Sequence, residues 1–231
     1  MNKFIRTQKL VSDEKFELLT QKKVLICGIG GVGGAVFLGL LRSGINNITI
    51  IDFDRFDESN LNRQLLSSVD SIGKEKVFVA KEIALNINPD AQISALNFKI
   101  SEETIKLLEL YYDYIIDCID DTKAKVLLYR FAFNNNINII SSMGTAMKFD
   151  PLKLKVGTIN QTSYDPLAKQ LRYMLKDEKE LLKTNVVYST EEVTKDLKKL
   201  KEQYGFLPSN VIVPNSCGLL IVKEVLLTFL N

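Results

Sequence analysis

Apolar positions along the chain fall into short runs separated by longer stretches with helical spacing. The runs at 23–27, 47–52, 92–98, 114–118 and 137–141 have strand length, and several are rich in Ile and Val. Between them, 32–43, 73–88, 101–111 and 122–136 repeat apolar residues every three or four positions. In the second of these, Val77, Ala80, Ile83, Ala84 and Ile87 share one helix face. Strands alternating with helices predict an α/β, Rossmann-like fold, with a mostly parallel sheet and helices on both faces. Past residue 145 the rhythm changes. Leu152, Leu154 and Val156 alternate with Lys153 and Lys155, which predicts a strand with one buried face. Asp165 and Pro166 suit the N-cap and first position of a helix. A strand at 185–188, a charged helix near 193–204 and an apolar C-terminal helix complete the chain. The whole reads as one domain over 1–231, a regular core to 145 elaborated by further strands and helices over 146–231.

Composition narrows the chemistry more than the fold. The 231 residues carry a formal charge of +2, so charge alone gives no argument for a nucleic-acid partner. Cys27, Cys118 and Cys217 are too few and too scattered for a disulfide framework, and no C-x-x-C pair supports a four-thiolate zinc site. The start lacks an apolar signal core, and GLLIVKEVLLTFLN near the end contains Lys223 and Glu224, so the expectation is a soluble cytoplasmic protein. The chain has no histidine, which removes Ser–His and Cys–His nucleophiles and leaves proton transfer to carboxylates, Lys, Tyr, Cys, water or substrate.

The segment VLICGIGGVGG, 24–34, places Gly28, Gly30, Gly31 and Gly33 between a strand and a helix, where bare backbone N–H groups approach a phosphate. Asp52 closes the next strand at the spacing of an acid that binds ribose hydroxyls. Those features alone suit a dinucleotide dehydrogenase equally well. The following loop, DFDRFDESNLNRQ at 52–64, adds Asn60, Arg63 and Gln64, and GKEK at 73–76 adds Lys74 and Lys76 at a helix start. Such a cationic set suits charge on a transferring polyphosphate rather than one ribose. In YIIDCIDD, 114–121, Asp117, Asp120 and Asp121 cluster at a strand's C-terminal edge. One can hold Mg²⁺ with nucleotide phosphates while another caps the helix starting at Thr122.

The combination of GIGGVG, SNLNRQ, GKEKV and DCID resembles the ubiquitin-activating enzyme superfamily, which includes bacterial adenylyltransferases for sulfur-carrier proteins. The resemblance implies an ATP site in the 1–145 core. Gly28, Gly30, Gly31 and Gly33 would form its turn, Asp52 would bind ribose, and Asn60, Arg63 and Gln64 would line it. Lys76 would contact phosphate and Asp120 would hold Mg²⁺, with Arg63, Lys76 and Asp120 as the catalytic set. It also implies a homodimer in which Arg6 reaches the partner's ATP. Farther along, SSMG at 141–144, DPLAKQLR at 165–172 and VVYSTE at 186–191 are similar to the bacterial tRNA threonylcarbamoyladenosine dehydratases. That branch uses ATP to cyclise the threonylcarbamoyl group on adenosine 37 in the tRNA anticodon loop. Thr145, Ala146 and Met147 stand where the branch resemblance predicts a turn rich in Gly and Asn, and 193–211 diverges as well.

Adenylation of a ubiquitin-like sulfur carrier is the alternative, although the cysteine pairs expected for zinc are missing. A sulfur-transfer protein would then be a partner. For tRNA, the sequence offers Lys148, Lys153, Lys155, Lys169, Arg172 and Lys176, with Tyr164 and Tyr173 interleaved for base stacking. An ordinary charged surface reads the same way. Cys27 and Cys118 are read as small core residues, and Cys217, near a helix start, has no partner to activate it.

Overall fold

A computed structural model describes residues 3–231. Helices α1 (Ile5–Val11) and α2 (Asp13–Gln21) precede β1 (Lys23–Cys27). The core then runs α3 (Gly31–Arg42), β2 (Asn47–Ile51), α4 (Lys76–Ile87), β3 (Gln92–Leu96), β4 (Tyr114–Asp117), α5 (Thr122–Asn134) and β5 (Asn138–Ser142). After it come β6 (Leu154–Thr158), α6 (Pro166–Met174), β7 (Asn185–Ser189), α7 (Lys195–Tyr204) and α8 (Ile212–Leu230). The seven strands form one open sheet in the order β3-β2-β1-β4-β5-β7-β6, in which every pairing is parallel except that of β6 with β7. The order reverses at β1, whose neighbours are β2 and β4, and this creates the crevice where open α/β sheets take ligands.

Strand alternation sorts the core into two layers. Val24 and Ile26 of β1 pack with α3, α4 and α8, while Leu25 and Cys27 face Ala124 and Leu128 of α5. A third cluster joins Val126 and Tyr129 of α5 to Leu171 and Leu175 of α6. The face expected for α4 is the buried one, with Val77, Ala80 and Ala84 in the core and Ile83 and Ile87 against it. Helix α8 is nineteen residues long and, among the described residues, is the helix apolar enough to cross a membrane. It begins earlier than GLLIVKEV, and its apolar face packs along α3, with Cys217, Ile221 and Val225 fully buried.

Two expectations fail. The helix expected over 101–111 is one 3-10 turn, Thr104–Leu107. Side chains compete for the backbone here: Ser101 N–H donates to Thr104 Oγ1 at 2.8 Å, and Thr104 Oγ1 donates to Lys99 O at 2.6 Å. Such local bonds offer the chain an alternative to helix. The alternation over 152–156 also misleads. The strand starts at Leu154, and Leu152, expected inward, is 86% exposed in the preceding 3-10 turn.

Candidate active site

A cleft of about 1300 Å³ runs over the C-terminal edge of the sheet, from the loop after β2 to the start of α6. Its first half is floored by the turn between β1 and α3. Gly28 lies in the left-handed region at φ 82°, and a Cβ on Gly33 would sit 1.8 Å from Gly28 O, so the fold itself demands both glycines. Gly30 is different. The nearest atom to its missing Cβ is Gln64 Nε2 at 3.9 Å, so its bareness opens the cleft rather than relieving a clash. Gly30 is also the N-cap of α3 and offers no side chain to the first N–H groups of the helix. Those donors remain for an anion, with the helix dipole behind them.

Asp52, at the end of β2, is buried and accepts Ile29 N–H at 2.8 Å and Asp54 N–H at 2.9 Å. Burial pushes its carboxyl above the usual range, and the opposing pull of Lys76 is the next largest influence. The loop that follows is fastened rather than loose. Phe56 and Leu66 are buried, Arg55 donates to Gly73 O and pairs with Glu75, and Asp57 forms a capping box with Asn60. Arg63, half-buried, donates to Ser59 O at 2.7 Å. Gln64 is 7% exposed, and its Oε1 is buried without a hydrogen-bond partner among the described residues. Lys76 is 5% exposed at the first position of α4, with Nζ 2.9 Å from Asp54 Oδ2. Asp52, Asn60, Arg63, Gln64 and Lys76 line the cleft, as does Asp54, which the sequence reading passed over. Lys74, expected beside Lys76, is exposed and lies outside the lining.

The three aspartates after β4 divide their tasks. Asp117 is fully buried and pairs with Lys125 at 2.9 Å. Asp121 caps α5 through Lys123 and Ala124 N–H and pairs with Lys99 at 2.9 Å, which holds its carboxyl below the usual range. Asp120 stays exposed in the cleft. Among the described residues no three of His, Cys, Asp and Glu gather around one point. A divalent ion here would therefore combine Asp120 with oxygens of bound phosphates. The buried orphan oxygen of Gln64, the uncapped N-terminus of α3 and the open Gly30 fit a nucleotide in this half.

The second half of the cleft is built by Met143–Lys148, Tyr164–Leu167, Lys169, Arg172 and the 206–209 loop. Asp165 caps α6 and accepts Gly144 N–H at 2.8 Å, which ties the turn after β5 to α6. Met147, one of the residues standing where Gly or Asn was expected, takes φ 60°, and its N–H donates to Pro208 O at 2.7 Å. The basic stretch does not form one face. Lys148 is buried, 3.1 Å from Ser189 O, and burial lowers its pKa; Arg172 is held by the carbonyls of Ile159 and Thr162; Lys153, Lys155 and Lys176 lie outside the lining. Lys169 remains exposed in the cleft. Arg6, on α1, is exposed and does not line the cleft of its own chain.

Cys118 borders the cleft and Cys217 is buried. Burial pushes both thiols up, Cys217 to about 12, so neither is a thiolate near neutral pH. Cys217→Ala is expected to leave the activity of this site largely intact, because a buried protonated thiol is no nucleophile; a loss of turnover without loss of folding would restore the thiol to the chemistry.

The chain is 32% identical to the tRNA threonylcarbamoyladenosine dehydratase of Bacillus subtilis, an alignment covering all of this chain and 96% of that one. It is 37% identical to tRNA threonylcarbamoyladenosine dehydratase 2 of Saccharomyces cerevisiae over 84% of this chain, which spans 43% of the yeast protein. The crystal structure of E. coli tRNA N6-threonylcarbamoyladenosine dehydratase in complex with ATP superposes with a TM-score of 0.90 at 28% identity, covering 98% of this chain and 93% of that one. Residues 4–201 match the sequence profile of the ThiF family, and the chain belongs to that family.

Proposed function

We propose that this protein catalyses the ATP-dependent dehydration of N6-threonylcarbamoyladenosine at position 37 of tRNA. The carrying observation is the end-to-end similarity to the Bacillus subtilis dehydratase. A cleft whose halves suit a nucleotide and a second, bulky substrate supports the same reading. In this reading residues 1–145 are the nucleotide-binding core and 146–231 carry the substrate region. A tRNA substrate supports a cytoplasmic setting for the reaction.

A carboxylate is a poor electrophile because oxide cannot leave. The threonyl carboxylate attacks the α-phosphorus of ATP, pyrophosphate departs, and the carboxyl oxygen becomes part of AMP. The neighbouring carbamoyl group then attacks the activated carbonyl and displaces AMP, so the water formally lost leaves as that AMP oxygen. Ring closure is intramolecular, and effective molarity lowers its barrier without an enzyme nucleophile. That suits a chain without histidine and with raised thiol pKa values.

Gly28, Gly30, Gly31 and Gly33 present the phosphate turn, and Asp52 takes the ribose. Asn60, Arg63 and Gln64 hold the nucleotide, and Lys76 steadies charge on its phosphates. Mg²⁺, bound through Asp120, would offset phosphate charge as pyrophosphate forms. The test is incubation with ATP, Mg²⁺ and threonylcarbamoylated tRNA, followed by mass spectrometry of the nucleosides. The expected product has lost one water, with AMP and pyrophosphate formed in equal amounts. An unchanged nucleoside, with ATP–pyrophosphate exchange seen only when a ubiquitin-like sulfur carrier is added, would transfer the function to carrier adenylation.

The position of Arg6 outside its own cleft supports a homodimer that shares it in trans. Mixing Arg6→Ala with Lys76→Ala subunits is expected to restore part of the activity, because one site of each heterodimer is intact. Heterodimers that form and stay inactive would remove Arg6 from the site.

A further inference from the structure

Tyr164 is an aromatic residue in the left-handed region, at φ 52°; it is 57% exposed and lines the cleft. A non-glycine residue there is strained, because its Cβ crowds the following carbonyl oxygen. Burial does not repay that strain, since more than half of the residue is exposed. The conformation is imposed from both sides. Thr162, two residues back, is gripped by Arg172; Asp165, the next residue, is locked as the cap of α6 and as the acceptor of Gly144 N–H. The protein thus fixes an unfavourable backbone to hold an exposed ring at the far half of the cleft. Lys169, one turn into α6, adds an exposed cation to the same wall. Tyr173, on the same helix, is 75% exposed but lies outside the lining.

We propose that Tyr164 is the stacking platform for the RNA nucleobase that carries the carboxylate to be activated, with Lys169 meeting the adjoining backbone phosphate. The proposal rests on the tRNA reading above. An exposed ring accepts any base face, and a neighbouring cation suits the phosphate attached to it. A ubiquitin-like carrier tail would bind through backbone hydrogen bonds along an extended peptide, which an open sheet edge provides and an exposed aromatic face does not.

The test uses the full chain with Tyr164→Gly, Tyr164→Asn and Tyr164→Phe, and with Tyr173→Ala as control. Glycine and asparagine accept the left-handed conformation, so the Gly and Asn variants should melt at or above the temperature of the parent. Their thermal stabilisation by ATP with Mg²⁺ should be unchanged. Their KM for threonylcarbamoylated tRNA should rise roughly tenfold to a hundredfold, the range of a lost base stack. Tyr164→Phe should stay within about twofold, since the π-face is kept, and Tyr173→Ala should match the parent. Unchanged KM in Tyr164→Gly and Tyr164→Asn, with the parent active on tRNA, would overturn the stacking role and leave the dehydratase reading standing. A parent inactive on tRNA but active on a sulfur carrier would overturn both.

Discussion

Lys76→Ala is expected to slow adenylation by ~10²-fold or more while the protein stays folded. The side chain opens α4 with its ammonium almost wholly enclosed, 2.9 Å from Asp54. A cation at a helix N-terminus works against the dipole, so helix stability does not explain its place. Asp54 is half exposed and stays solvated when the lysine is removed, which keeps the structural loss small. In the proposed reaction the catalytic loss is large because the charge stabilises negative oxygen on the phosphates as the adenylyl group transfers. Lys76→Met separates the two effects, since it keeps the buried stem and removes only the charge. Single-turnover pyrophosphate release from threonylcarbamoylated tRNA is the readout, with melting temperature alongside. A Lys76→Met enzyme that releases pyrophosphate at the parent rate would exclude Lys76 from the chemistry.

The parts of this molecule written locally were legible in the sequence. The β1–α3 turn shows because Gly33 must clear Gly28 O five residues back and Gly28 takes a left-handed φ, although Gly28 also clears the backbone of distant Cys118. The places of the core strands and the buried face of α4 follow from spacing. The division of labour after β4 was half legible. Three clustered aspartates announced a site, but only the fold shows that Asp117 faces Lys125, that Asp121 caps α5, and that Asp120 is left in the cleft. What failed depends on distant partners. Leu152 looked buried by alternation, yet β6 is an edge strand whose register is set by β7. The helix expected over 101–111 gave way to bonds from Ser101 and Thr104. The second half of the cleft assembles residues from 143 to 209, and the left-handed backbone of Tyr164 and Met147 carries no glycine to mark it.

Lys125→Met is expected to destabilise the protein by about 3–5 kcal/mol, the range for breaking a buried ion pair by removing one partner. Lys125 in α5 is fully buried, and its three protons go to Asp117 Oδ2 at 2.9 Å, Ser141 Oγ at 2.8 Å and Ser142 O at 2.9 Å. Ser141 donates to the same carboxylate oxygen at 2.6 Å and accepts from Tyr129 OH at 2.8 Å. Methionine fills the space but leaves Asp117 charged with no cation beside it. Asn in place of Asp117 removes that charge, so Lys125→Met with Asp117→Asn should recover part of the loss. Arg130 and Glu178 give the internal comparison: they pair at 2.7 Å, but partly in solvent. Arg130→Met should therefore lose no more than about 1 kcal/mol, because water replaces the interaction. Denaturant unfolding of the three variants measures all of this, and similar losses for Lys125→Met and Arg130→Met would refute the buried network as a major support. The network also reaches the cleft. Asp117 Oδ1 accepts Ile119 N–H at 3.1 Å, beside Asp120, and Ser142 borders the cleft, so the same lysine ties the ends of β4 and β5 where they meet it. Adenylation in Lys125→Met should therefore fall even at temperatures where the variant is fully folded, whereas Arg130→Met should keep the parent rate.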